Sequence, residues 1–61
     1  MINKLMDYYN DAVLMSRSSF PQDEKNRHYK ELLVKIRNDY GSEDAGAQVY
    51  LFVSSLIVLR S

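Results

Sequence analysis

Residues 49–59 read Val-Tyr-Leu-Phe-Val-Ser-Ser-Leu-Ile-Val-Leu, and nine of these eleven residues are apolar. On a helical wheel they leave no wide polar side, which is typical of a helix that is covered on all sides. Ser42 is a favourable N-cap residue, and Glu43 and Asp44 complement the positive end of a helix dipole. The pattern therefore predicts a helix over about 43–60. The β-branched residues of the run leave a strand as the alternative.

Two amphipathic segments precede this run. Apolar residues recur at helical spacing in the first segment and predict a helix over about 2–17: Ile2, Leu5, Met6, Tyr9, Ala12 and Val13. A second apolar stripe predicts a helix over about 20–40: Tyr29, Leu32, Leu33, Ile36 and Tyr40. Ser19 and Gln22 have the spacing of a capping box at its start, and Gly41 can close it in the left-handed conformation. The expected fold is all-α, with three short helices.

Length and composition limit the possible classes of protein. Sixty-one residues form a single domain, 1–61, and a chain with 46% hydrophobic and 26% charged residues is globular. There is no Cys and only one His, so neither a disulfide framework nor a zinc site is expected. A net charge of zero argues against a general binder of nucleic acids. Without Cys or a recognisable signal peptide, the expected location is cytoplasmic.

The apolar run also predicts self-association. So small a domain buries only about 60% of its unfolded surface, and two short helices cannot wrap a third that is apolar all round. A membrane span needs about 20 apolar residues, so a membrane partner is not expected. The sequence predicts a homo-oligomeric helical bundle in which the second and third helices form an antiparallel hairpin. The predicted interface lies on the third helix: Tyr50, Phe52, Val53, Leu56, Ile57 and Leu59.

Basic residues concentrate in the second helix and suggest a possible anion site. The candidate ligand-binding residues are Arg27, Tyr29, Lys30 and Arg37, because cations pair with phosphate groups and a Tyr ring can stack on a base. The alternative is a solvated helix face. At about 100° per residue the cations scatter around the wheel, which favours that alternative over a continuous basic strip.

No catalytic, metal-binding or cofactor residue is predicted. Glu24 and His28 are four residues apart and would face each other on a helix, but no third ligand accompanies them. Ser54 and Ser55 lack a neighbouring base, so their hydroxyl groups are expected to bond back to the preceding helical turn. Phosphate-binding loops and helix-turn-helix patterns are absent from the sequence.

The expected function is that of a small non-enzymatic interaction protein. It would act as a homo-oligomer that binds another macromolecule, as bacterial and phage regulators and inhibitors of this size do; this step is an analogy. The alternative function is an oligomer that sequesters an anionic, nucleotide-like small molecule in pockets between its subunits. The expected exposed surfaces are the polar start of the second helix and the flank of the first.

Overall fold

The computed structural model describes residues 4–59, which form three helices. Helix α1 spans Lys4–Arg17, α2 spans Gln22–Tyr40 and α3 spans Asp44–Leu56. No residue between 4 and 59 belongs to a strand, so the strand alternative for 49–59 was wrong and the all-α prediction is confirmed. Residues 2, 3 and 60 of the predicted helices lie outside the described residues.

The core lies where the three helices meet. Its fully enclosed side chains come from every helix, with α2 supplying the most: Ala12, Tyr29, Leu32, Ile36 and Val53. Leu5 closes the core at the start of α1 and is 7% exposed. The apolar stripe predicted for the second helix therefore faces inward, as its 3.6-residue spacing requires.

Polar pairs join one flank of α2 to α1. The Tyr8 hydroxyl donates to Asp39 Oδ2 at 2.6 Å, His28 Nε2 lies 2.9 Å from Asp11 Oδ2, and Lys25 Nζ donates to the Ser16 carbonyl at 3.3 Å. Residue numbers rise along α1 while those of the partners fall along α2. The two helices therefore run antiparallel.

The start of α2 differs from the predicted capping box. Pro21 has φ −57° and ψ 153°, an extended conformation, so the helix begins at Gln22 and not at residue 20. Because Ser19 then lies too far from the first turn, no side chain caps the helix. Gln22 Nε2 instead donates to Asn26 Oδ1 at 2.8 Å.

The α2–α3 connection also corrects two expectations. Gly41 has φ −61° and ψ −23°, so α2 closes in the right-handed region and not in the left-handed one. The chain turns immediately, with the Glu43 N–H donating to the Tyr40 carbonyl at 3.1 Å. Because this turn includes Ser42, the N-cap of α3 is Glu43, whose backbone is extended and whose side chain makes no capping hydrogen bond.

Helix α3 ends at Leu56, earlier than the predicted residue 60. Ile57 is extended, and the side chain of Asn26 in α2 forms hydrogen bonds with the backbone of Val58, the next residue. Asn26 Nδ2 donates to the Val58 carbonyl at 2.7 Å, and the Val58 N–H donates to Asn26 Oδ1 at 3.1 Å. The side-chain amide thus satisfies both backbone groups of Val58, which removes their need for helical partners.

The molecule is flattened, with principal extents of 34 × 24 × 14 Å. Its accessible surface is 4719 Å². Within residues 4–59, no helix is both long enough and apolar enough to cross a membrane.

Candidate interaction surfaces

The four predicted ligand residues do not form one site within a single copy. Tyr29 is only 1% exposed and belongs to the core, where burial raises the pKa of its phenol. Arg27 and Lys30 line one groove on α2, and Arg37 lines another. The three cations therefore line two different grooves of a single copy.

The groove that contains two of the predicted cations is mixed in charge. This Lys30 groove has a volume of about 450 Å³ and is lined by Asp23, Asn26, Arg27, Lys30, Glu31 and Val34. Its two carboxylates offset its two cations, so it offers no net positive field to a phosphate group. A solvated helix face describes this geometry better than an anion site does.

A second groove lies at the junction of α1 and α2. This Phe20 groove has a volume of about 230 Å³ and is lined by Met15, Phe20, Glu24, Arg27, His28 and Glu31. Phe20 is 56% exposed in the loop between the helices, which places a large aromatic ring among charged side chains of both signs. Aromatic and Arg side chains are enriched where proteins contact one another.

His28 belongs to this groove but does not form the pair suggested by spacing alone. Its Nε2 atom lies 2.9 Å from Asp11 of α1 and makes no ion pair with Glu24. Within residues 4–59, no group of three His, Cys, Asp or Glu side chains could hold a metal ion. The His28–Asp11 pair therefore links two helices, and sequence spacing did not reveal it because Asp11 is 17 positions away.

Tyr8 is a second inter-helix contact that spacing did not predict. Its hydroxyl donates to Asp39, and this hydrogen bond is the main reason why the pKa of Tyr8 is raised above its ordinary value of 10.0. Desolvation and the negative charge of Asp39 act in the same direction. The Tyr8 hydroxyl is therefore engaged within the chain.

The predicted interface residues face different ways. Val53 is fully enclosed by this chain's own helices and has no surface left for a partner. Tyr50, Phe52, Leu56 and Ile57 pack partly against the core, and the Phe52 ring lies 4.8 Å from that of Tyr9. Leu59 is 81% exposed.

Leu51 was not among the predicted interface residues, yet it is 68% exposed on α3. It borders the Leu51 groove, a depression of about 360 Å³ between the end of α2 and the start of α3. The lining residues are Ile36, Arg37, Gly41, Gly46, Ala47, Tyr50 and Leu51. The sequence does not single out Leu51, because in a nearly continuous apolar run no periodicity distinguishes the inner side from the outer side.

Ser55 Oγ donates to the Phe52 carbonyl at 2.6 Å, which confirms for Ser55 the predicted bond back to the preceding turn.

Comparison with known proteins adds no further assignment. No family model matches the chain, and neither a curated protein nor a solved structure shows significant similarity to it.

Proposed function

We propose that this chain is a small non-enzymatic interaction protein that acts as a homo-oligomer and binds another macromolecule. The observation that carries the proposal is the set of large apolar side chains left exposed, two groups of which lie at separate places. Leu14 and Phe20 lie at the α1–α2 junction, and Leu51, Val58 and Leu59 lie on α3 and just beyond it; Met6, Tyr9 and Val34 are exposed as well. Two such places suit one contact with a copy and one with a target.

An antiparallel hairpin of α2 and α3 forms part of this proposal. Asn26, near the start of α2, bonds Val58 beyond the end of α3. Tyr40, at the end of α2, lies against Gly46 near the start of α3. The start of α2 thus lies near the end of α3, and the end of α2 lies near the start of α3. This arrangement supports the hairpin, which would form the scaffold of the oligomer. The cytoplasmic location and the bacterial or phage regulatory role stay predictions.

The Phe20 groove is the proposed target-binding surface. It combines an exposed aromatic ring with Arg27, Glu24 and Glu31, and such mixed surfaces are common at protein–protein contacts. The surface corresponds to the region expected from sequence, namely the polar start of the second helix and the flank of the first.

The test is capture of a partner from cells that express the chain naturally. Immobilised wild-type protein and a Val34→Asp control are expected to retain the same macromolecule, whereas Phe20→Asp loses it. Val34 is 59% exposed against 56% for Phe20, and it lies outside the Phe20 groove. Retention by all three proteins, or by none, would contradict the proposal.

The alternative function, sequestration of an anionic nucleotide-like molecule between subunits, has weaker support. Arg27 and Lys30 are exposed, but Asp23 and Glu31 share their groove. Titration with a nucleoside triphosphate separates the two functions. Saturable binding that is lost in a Lys30→Glu, Arg37→Glu double variant would favour the small-molecule function.

A further inference from the structure

The exposed side of α3 carries almost no charge. Its exposed side chains are Asp44, Ala45, Ala47, Gln48, Leu51 and Ser55, and only the first of these is charged. We call Ala47, Gln48, Leu51 and Ser55 the α3 outer face. Solvated helix faces in soluble domains are normally polar and charged. This face carries one projecting Leu among uncharged side chains, with Asp44 at its N-terminal end, which is little charge for a solvated helix face.

The Leu51 groove lies directly beside this face. Gly41, Gly46 and Ala47 have little or no side chain, which leaves the depression between α2 and α3, and Leu51 stands at its edge. Each copy therefore carries both a projecting side chain and a receiving depression on one patch. Self-complementarity of this kind is what a two-fold symmetric interface requires.

The chain exposes more surface than a compact monomer of its mass is expected to expose. A folded monomer of 7.1 kDa is expected to expose about 4,100 Å². This chain exposes 4719 Å², an excess of about 600 Å². Each partner in a standard interface buries about 800 Å², and weaker interfaces bury about 600 Å² or less.

We propose that the α3 outer face and the Leu51 groove together form a two-fold homodimer interface, in which Leu51 of each copy enters the groove of the other. This inference rests on the proposed function and specifies its self-association. It also moves the interface away from Val53, Phe52 and Leu56, which face the core, and centres it on Leu51.

The first test compares two leucines of equal exposure. Leu51 and Leu14 are both 68% exposed, on α3 and α1 respectively. In sedimentation equilibrium we expect a wild-type dimer and a dimer for Leu14→Glu. Leu51→Glu should raise the dissociation constant by roughly 100-fold, because the dimer carries the buried charge twice. Circular dichroism should show the same helix content in all three proteins.

Several outcomes of this experiment would overturn the interface. These are a wild-type chain that sediments as a monomer at high micromolar concentration, a Leu51→Glu variant that dimerises normally, and a Leu14→Glu variant that dissociates equally. Open-ended oligomers would exclude the two-fold pairing. A monomer that binds phosphatidylcholine vesicles through Leu51 would assign the face to a lipid surface instead.

A second test does not depend on the fold tolerating a buried charge. The chain has no Cys, so a single introduced Cys can pair only with its counterpart in another copy. Gln48→Cys, on the α3 outer face, should form a covalent dimer under mild oxidation much faster than Leu14→Cys does. Equal rates for the two variants would refute the interface.

The two proposals fail in different ways. If the Leu51-dependent dimer forms but no macromolecule is captured through Phe20, the target-binding function fails and the interface stands. If the target is captured by a chain that is monomeric throughout, the interface fails while target binding stands.

Discussion

Helices α2 and α3 pack against each other, yet their exposed sides have opposite chemistry. Of the ten exposed side chains of α2, eight are charged; of the six on α3, one is. Helix α2 is thus complete in a single copy, with an apolar stripe inside and a hydrated side outside. Helix α3 is apolar inside and, apart from Asp44, uncharged outside. A helix can therefore have a regular inner side and an outer side with little charge, and the proposed dimer interface rests on this difference between the two helices.

A substitution on the inner side of α3 should lower the free energy of unfolding the most. A Cβ atom on Gly46 would lie 2.7 Å from the Tyr40 Cβ atom and would also overlap the Tyr40 carbonyl oxygen. Gly46→Ala should therefore lower the free energy of unfolding by about 2 to 3 kcal/mol, since overpacking here displaces backbone. Within an unhindered helix the same change stabilises by about 1 kcal/mol, so the sign measured by urea unfolding is diagnostic. A stabilised variant would disprove the close approach of the two helices.

Loss of the contact that ends α3 should have the second largest effect on the free energy of unfolding. Asn26→Ala removes both hydrogen bonds to Val58 and should cost about 1 to 2 kcal/mol. Asn26→Asp keeps an acceptor for the Val58 N–H but places a carboxylate oxygen against the Val58 carbonyl, so it should not rescue the loss. Asn38→Ala, an exposed position on the same helix, provides the control. Equal unfolding free energies for Asn26→Ala and Asn38→Ala would show that the hydrogen bonds from Asn26 to Val58 do not stabilise the fold.

The α1 flank of α2 should show a pH dependence that arises from Tyr8. The hydrogen bond to Asp39 raises the pKa of Tyr8 in the folded state above its ordinary value of 10.0. The folded state therefore retains this proton more strongly than the unfolded state does, and the resulting stability is fully present below pH 10. It is lost as the pH rises through the folded-state pKa.

Tyr8→Phe isolates this effect, because Tyr29 titrates in both proteins. The wild type should have the higher urea midpoint at pH 7, and the difference from Tyr8→Phe should shrink above pH 10. A difference that stays constant across this range would show that ionisation of Tyr8 is not coupled to folding.

Substitution on the charged side of α2 should have the smallest effect on stability and on association. Lys30 is exposed and makes no ion pair within residues 4–59. Lys30→Gln should change the unfolding free energy by less than about 0.5 kcal/mol and leave the sedimentation mass unchanged. A loss of dimer in this variant would extend the interface onto α2 and weaken the contrast between the two helices.

Local patterns were enough to predict three helices, because helical periodicity and turn residues are properties of neighbouring positions. Spacing alone predicted a helix with an apolar stripe from Tyr29 to Tyr40, and the structure buries this stripe or packs it against the core. The helix boundaries were less accurate. Pro21 delayed the start of α2, and Asn26 ended α3 through a contact 32 residues away in sequence.

The candidate site was less predictable than the fold, since it depends on which side of each element remains uncovered. The spacing around His28 favoured Glu24, whereas the tertiary structure supplied Asp11. Tyr29 was suggested as a stacking partner for a ligand, and packing placed it in the core.

By itself, the amino-acid sequence determined the helical class, the apolar excess of α3 and the absence of any thiol chemistry. These features are set by composition and by contacts within one or two turns. Only the tertiary structure decided that Val53 faces inward and Leu51 outward, and that Asn26 forms hydrogen bonds with the backbone of Val58. In an apolar run without a polar side, every orientation satisfies local rules equally well, so the neighbouring helices choose which residues are buried.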